Sequence, residues 1–235
     1  MTKFNEWLNE RKSKYGKGIT FVDIDETLFH TFAKIKVVNK KTGEVIKKLS
    51  NQEFNSYKLK DDEEFNFSEF EDAKFFKKTS IPIKPTIDRI KTMIKRIKKE
   101  HKGSKIIFLT ARSDFDDKKE FLKAFKEQGI DVDFKSNVYI ERSGNIKTGT
   151  VEEKKKQIIL KYLKNDSYKR VRMIDDYEGN IKKFMKIIDK LPSEIIEKIK
   201  KEYNVPNNEP VMEFYGLLVD SNTGKLTLYD KKEIY

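Results

Sequence analysis

A chain of 235 residues is long enough to bury one substantial core, with room for an insertion. It has no cysteine and only two histidines, His30 and His101, which excludes disulfides, thiolate metal sites, a cysteine nucleophile and a histidine-built zinc cluster. The net charge of +12 suits an anionic partner and equally suits lysines alternating with glutamates on solvated helix faces; no uncharged stretch reaches the ~18 residues a membrane span needs, so the expectation is a cytoplasmic protein.

Residues 4–14 read as a short helix with Phe4, Trp7 and Leu8 on one face, stopped by Gly16 and Gly18. GITFVDID then reads as a buried strand, an apolar and β-branched run bounded by glycine and acids. Residues 33–49 alternate apolar and polar side chains on both sides of Asn-Lys-Lys-Thr-Gly, the pattern of a hairpin. From 51 to 84, Phe54, Tyr57, Phe65, Phe67, Phe70, Phe75 and Phe76 are interleaved with acids, too apolar for a linker and suited to a compact insertion.

Pro85 opens an amphipathic helix on Ile87, Ile90, Ile94 and Ile97, followed by the strand KIIFLT at 105–110. A second helix over 115–128 carries Phe121, Leu122 and Phe125 and stops at Gly129; NVYI at 137–140 is a short third strand. Thr150 and Glu153 form a capping-box pattern for a helix to about Leu163. After a basic loop, SYKR, comes a fourth strand, VRMID at 171–175, then helical stretches near 178–190 and 193–203 and a terminal hairpin around Ser-Asn-Thr-Gly. The alternation predicts an α/β fold, a mostly parallel sheet covered on both faces, with ligands bound beyond the carboxyl ends of its strands.

Three predicted strands end in reactive side chains: Asp23, Asp25 and Thr27 after the first, Thr110 and Arg112 after the second, and Asp175 and Asp176 after the fourth. Asp23 and Asp175 brought to one rim would repel each other and would suit Mg²⁺, a hard cation that takes carboxylate oxygens. One carboxylate could attack phosphorus and a second, for which Asp25 is placed, could move the proton. Thr110 would donate to a phosphoryl oxygen, and Lys154, Lys155 or Lys156 would neutralise another.

DIDET at 23–27, LTAR at 109–112, a lysine at a helix start and IDD at 174–176 resemble, in order and spacing, the four motifs of the haloacid dehalogenase (HAD) superfamily, over about residues 19–190. The resemblance implies a HAD-like Rossmannoid three-layer sandwich with sheet order 5-4-1-2-3. Residues 1–32 and 85–235 would form the core, and 33–84 a β-flap and small C1-type cap that shields the site. It also implies Mg²⁺ as cofactor, Asp23 as nucleophile and Asp25 as general acid/base. Thr110 would bind phosphate, while Asp175 and Asp176 join Asp23 and the Asp25 carbonyl as metal ligands. For the third motif Lys154 is favoured, four residues after the Thr150 cap, with Lys155 and Lys156 as alternates. Thr27 and Arg112 are expected at the substrate, although Arg112 could instead close a surface ion pair.

The implied activity is hydrolysis of a phosphomonoester through a phospho-aspartate, on a nucleotide or nucleic-acid end. That substrate follows from a further likeness to the phosphatase half of polynucleotide kinase/phosphatases. D-E-T-L-x-H, ending at His30, also resembles HAD phosphatases of phosphorylated protein tails. The other class to weigh is a non-catalytic basic binding module on a HAD scaffold. The composition and insertion further resemble bacteriophage-encoded HAD-like proteins, which would place the chain in an infected host's cytoplasm.

Overall fold

The computed structural model describes residues 16–100 and 103–235; the predicted helix at 4–14 lies outside them. Four parallel strands form the middle of the molecule: β1 (Lys17–Val22), β7 (Lys105–Thr110), β8 (Val138–Arg142) and β9 (Tyr168–Asp175). The near-continuous apolar runs of β1 and β7 are those of strands buried on both faces. With β10 (Met212–Asp220) and β11 (Lys225–Ile234) they form a six-stranded sheet ordered β11-β10-β9-β1-β7-β8. The fold is therefore α/β with a mostly parallel central sheet and flanking helices.

Alternate residues of each strand feed opposite layers. Val22, Ile106, Phe108 and Ile174 join Ile87, Ile90, Phe121 and Phe125, which come from α3 (Lys84–Glu100) and α4 (Lys118–Glu127). Ile19, Phe21, Leu109 and Met173 meet the other layer, built from α5 (Val151–Asn165), α6 (Glu178–Met185) and α7 (Ser193–Tyr203). Capping follows local sequence: Asp117 accepts from the Glu120 amide at the start of α4, and Thr150 and Glu153 form the expected reciprocal box on α5. Gly129, at φ +75°, takes the left-handed turn that ends the α4 segment.

Three features differ from the sequence reading. SYKR is not a loop: β9 begins at Tyr168, and Lys169, Arg170 and Arg172 are buried within it. Pairing decides this, because Arg170 registers against Glu213 and Arg172 against Tyr215 on β10, and the Arg172 guanidinium lies 5.7 Å from the Tyr215 ring centre. The terminal hairpin is present, and its first strand, β10, runs parallel to β9 as a member of the main sheet.

The third difference concerns the insertion. The hairpin of β3 (Ile35–Asn39) and β4 (Val45–Leu49) accepts β5 (Glu63–Asn66) on the free edge of β3, so flap and aromatic segment share one antiparallel sheet. Its small core is Ile35, Val37 and Leu49 under Phe54, Tyr57, Phe65 and Phe70; α1 (Asn51–Ser56) packs here. By contrast, α2 (Ala73–Thr79) places Ala73 and Phe76 in the main core. The short pair β2 (Phe29–His30) and β6 (Ile81–Pro82) closes the two connections. Among the described residues no helix is long and apolar enough to cross a membrane.

Candidate active site

The carboxyl ends of β1, β7 and β9 meet at one rim. Pairing to β9 continues one residue beyond β1, through Asp23 N–H donating to the Ile174 carbonyl at 2.9 Å. The chain then turns tightly, with the Leu28 and Phe29 amides both donating to the Ile24 carbonyl and Glu26 in the left-handed region at φ +56°. A non-glycine residue there is uncommon. Glu26 is held by its carboxylate, which contacts His30 Nδ1 at 2.9 Å and accepts from the Thr31 amide at 3.0 Å. This break in strand regularity brings both Asp23 and Asp25 to the rim.

Lys155 occupies the centre. Its Nζ donates to Asp23 Oδ1 at 2.6 Å and to Asp175 Oδ2 at 2.9 Å, and the residue is 2% exposed. Lys154, the lysine favoured from sequence, is half-buried beside it, as is Lys156. Helix geometry explains the correction: Lys155 precedes Ile158 and Ile159 by three and four residues, on the same buried stripe, and Leu163 continues it. That stripe was visible in the sequence, whereas counting from the cap selects the wrong neighbour.

Asp175 is fully buried. Its Oδ1 accepts from the Tyr177 amide at 2.9 Å, and both oxygens lie 3.0 Å from Asn180 Nδ2. Asp176 is fixed by Thr27, whose hydroxyl donates to Asp176 Oδ1 at 2.8 Å and accepts from the Asp176 amide at 3.0 Å. Thr27 is thus a buried tie between the first and fourth strand ends, not a surface presented to substrate.

Asp25 and Arg112 belong to each other. Arg112 Nε lies 3.1 Å from both Asp25 oxygens and Nη2 lies 2.6 Å from Oδ1. Its Nη1 donates to the Phe70 carbonyl at 2.9 Å, and the side chain is 1% exposed, so this is neither a surface ion pair nor a free phosphate grip. Thr31 Oγ1 also donates to Asp25, at 2.8 Å, while Thr110 Oγ1 is 3.4 Å from it and accepts from the Arg112 amide at 3.1 Å. Thr31, Asn180 and the Phe70 carbonyl carried no motif signal, since each acts through a contact formed only by folding.

The carboxylates of Asp23, Asp175 and Asp176 offer ligand atoms within 4.8 Å of one another; the Asp25 carboxylate, committed to Arg112, is outside that group. Burial pushes the Asp23 carboxyl well above the ordinary range; Lys155 opposes this, and Asp175 and Asp176 add to it. Asp176 is pushed up to about 7, by burial first and then by Asp175. At Asp25 burial acts upward but Arg112 outweighs it, leaving the group below the ordinary carboxylate range. Lys155 is raised despite burial, because Asp175 and Asp23 favour its charge. Three carboxylates face one ammonium, so a divalent cation with hard oxygen preference fits this donor set.

Gly144, in the turn after β8, supports the loop that carries Arg112. A Cβ there would meet the Ala111 carbonyl oxygen at 2.5 Å and Arg112 backbone carbon at 2.6 Å. Gly144→Ala should therefore displace residues 111–113 and destabilise the fold by about 1–3 kcal/mol in denaturant unfolding. An unchanged midpoint would show that the loop shifts freely.

Comparisons of this chain with family models, with curated proteins and with solved structures give no match.

Proposed function

We propose that the protein is a Mg²⁺-dependent phosphomonoester hydrolase that works through a phospho-aspartate on Asp23. The observation that carries this reading is Lys155 bridging the buried Asp23 and Asp175, on the ends of adjacent parallel strands, with half-buried Asp176 completing a three-carboxylate group. A scaffold has no physical need for such mutually repelling acids. Counting the parallel strands in chain order turns β10-β9-β1-β7-β8 into 5-4-1-2-3, the order that the HAD resemblance implies, which supports the same reading.

Asp23 attacks phosphorus, the bond to the leaving oxygen breaks, and that oxygen takes the proton carried by a monoanionic phosphate ester, relayed by Asp25, which Arg112 holds ionised at rest. Water then attacks the phospho-aspartate, its hydroxyl goes to phosphorus, its proton passes through Asp25 to the departing phosphate, and the Asp23 carboxylate is released. Each cycle thereby returns Asp25 to its starting form. Lys155 steadies the attacking carboxylate, and Thr110 offers its hydroxyl to a phosphoryl oxygen. Mg²⁺, held by Asp23, Asp175 and Asp176, with the Asp25 carbonyl as a further ligand, would supply the charge compensation that phosphoryl transfer needs.

The substrate class we favour is a nucleotide or nucleic-acid end, because a chain of net charge +12 attracts polyanions. Phosphate release from nucleotides, 3′- and 5′-phosphorylated oligonucleotides, phosphopeptides and sugar phosphates, with Mg²⁺ or EDTA, tests it. Metal-dependent turnover that favours the nucleic-acid members is expected. Preference for phosphopeptides would move the reading to a protein phosphatase. No turnover across the panel, with Mg²⁺ still bound, would favour a binding module.

A further inference from the structure

Both connections of the insertion end on the same ion pair. The outgoing chain passes Thr31, whose hydroxyl holds Asp25, four residues before β3 begins at Ile35. The returning chain passes Phe70, whose carbonyl accepts from Arg112, three residues before α2 begins at Ala73. Between them Arg112 Nε and Nη2 grip the Asp25 carboxylate.

The returning segment is anchored on both sides. Toward the small sheet, Glu69 pairs with Lys36 at 3.4 Å and Lys48 at 3.3 Å and accepts from the Lys34 amide at 3.0 Å. Toward the main body, the Asp116 amide donates to the Glu71 carbonyl at 3.0 Å, the Ala73 amide donates to Asp116 Oδ1 at 2.9 Å, and Ser113 Oγ donates to Glu71 Oε1 at 2.9 Å. Aromatic rings close around the guanidinium, with Phe70 at 4.7 Å, Phe76 at 5.0 Å and Phe115 at 5.6 Å to its central carbon. Phe70 belongs to the insertion's small core, and Phe76 and Phe115 to the main core. A planar fork between two bodies transmits displacement in a way that a single-point ammonium does not.

We propose that Arg112 is a positioning residue that makes the seating of the insertion and the placement of the Asp25 carboxylate one event. Contact between a substrate and the three-stranded sheet is thereby felt at Asp25, and an unseated insertion leaves Asp25 misplaced. The link is reciprocal, as any coupling of two equilibria must be: loosening the Asp25 end loosens the insertion. The structural half stands on these contacts alone, and its effect on rate rests on the phosphatase reading.

Hydrogen exchange tests the coupling without activity. Asp25→Asn keeps the shape of the side chain and weakens the ion pair; Arg112→Lys keeps the charge and removes the fork. Each should speed exchange across β3, β4 and β5 together, about 5- to 150-fold, while β1, β7 and β9 stay protected. Acceleration confined to residues 23–31 and 110–116 overturns the proposal.

The second arm compares an alkyl phosphate with p-nitrophenyl phosphate, whose aryl oxide leaves without needing a proton. Arg112→Lys should lower kcat roughly tenfold more on the alkyl ester, with KM little changed. An equal loss on both esters means a merely structural residue and overturns the catalytic half. If the wild type turns over neither ester nor any member of the wider substrate panel, the phosphatase reading fails, and the exchange result still decides the coupling.

Discussion

Asp23→Asn is expected to abolish turnover and to raise stability in EDTA at pH 8. The amide cannot attack phosphorus, and losing a covalent nucleophile costs on the order of 10⁴- to 10⁶-fold in kcat. Stability moves the other way because burial and the neighbouring acids penalise an ionised Asp23, even with Lys155 beside it. The folded-state pKa lies above the unfolded one, so this group's contribution is full below the unfolded value and is lost as pH rises through the folded value.

Asp176 has the same sign, its contribution fading from about pH 4 to about 7. In EDTA the wild-type Tm should accordingly fall as pH rises over that window. Adding Mg²⁺ should restore it, by more at pH 8 than at pH 5, because the cation competes with protons for the same oxygens. Thermal melts of both proteins, with and without Mg²⁺, read all of this. A lower Tm for Asp23→Asn in EDTA would mean that its hydrogen bond to Lys155 outweighs the repulsion.

Replacing Lys155 has the opposite effect on stability. Lys155→Met removes the ammonium that meets both Asp23 and Asp175 and leaves a buried carboxylate group without its cation. Breaking a buried pair in this way costs about 3–5 kcal/mol. The expected result is a large drop in the denaturant midpoint together with lost turnover. Lys154→Met, one residue away and half-buried, should stay within about 0.5 kcal/mol and keep its activity. Equal effects at the two positions would remove Lys155 from the centre of the site. Added Mg²⁺ should recover part of the Lys155→Met loss, since a second cation meets the same acids.

Much of the site was legible because its signals are local. A buried apolar run stopping at Asp23, another at Thr110 and a third at Asp175 are read from a few consecutive residues, and the Thr150 box from four. Choosing Lys155 over Lys154 needed only the helical stripe through Ile158, Ile159 and Leu163. The role of Arg112 was not legible in this way. Its partner Asp25 is 87 positions away and the Phe70 carbonyl 42, and no property of LTAR distinguishes an arginine facing phosphate from one enclosed by phenylalanines.

The α/β class, the order of the main strands and helices, and the three strand ends that carry the reactive side chains follow from local pattern, because hydrophobic period and capping act within a turn or a strand. Packing settled the rest. It drew Tyr168 and Arg170 into β9 by pairing them with β1, and Arg170 also with β10, and it joined β5 to β3 across the insertion. It also committed Thr27 to Asp176 and Arg112 to Asp25. The physical reason is that an edge's hydrogen bonds and a buried charge's counter-ion must be satisfied by whatever packing brings near, however distant in the chain.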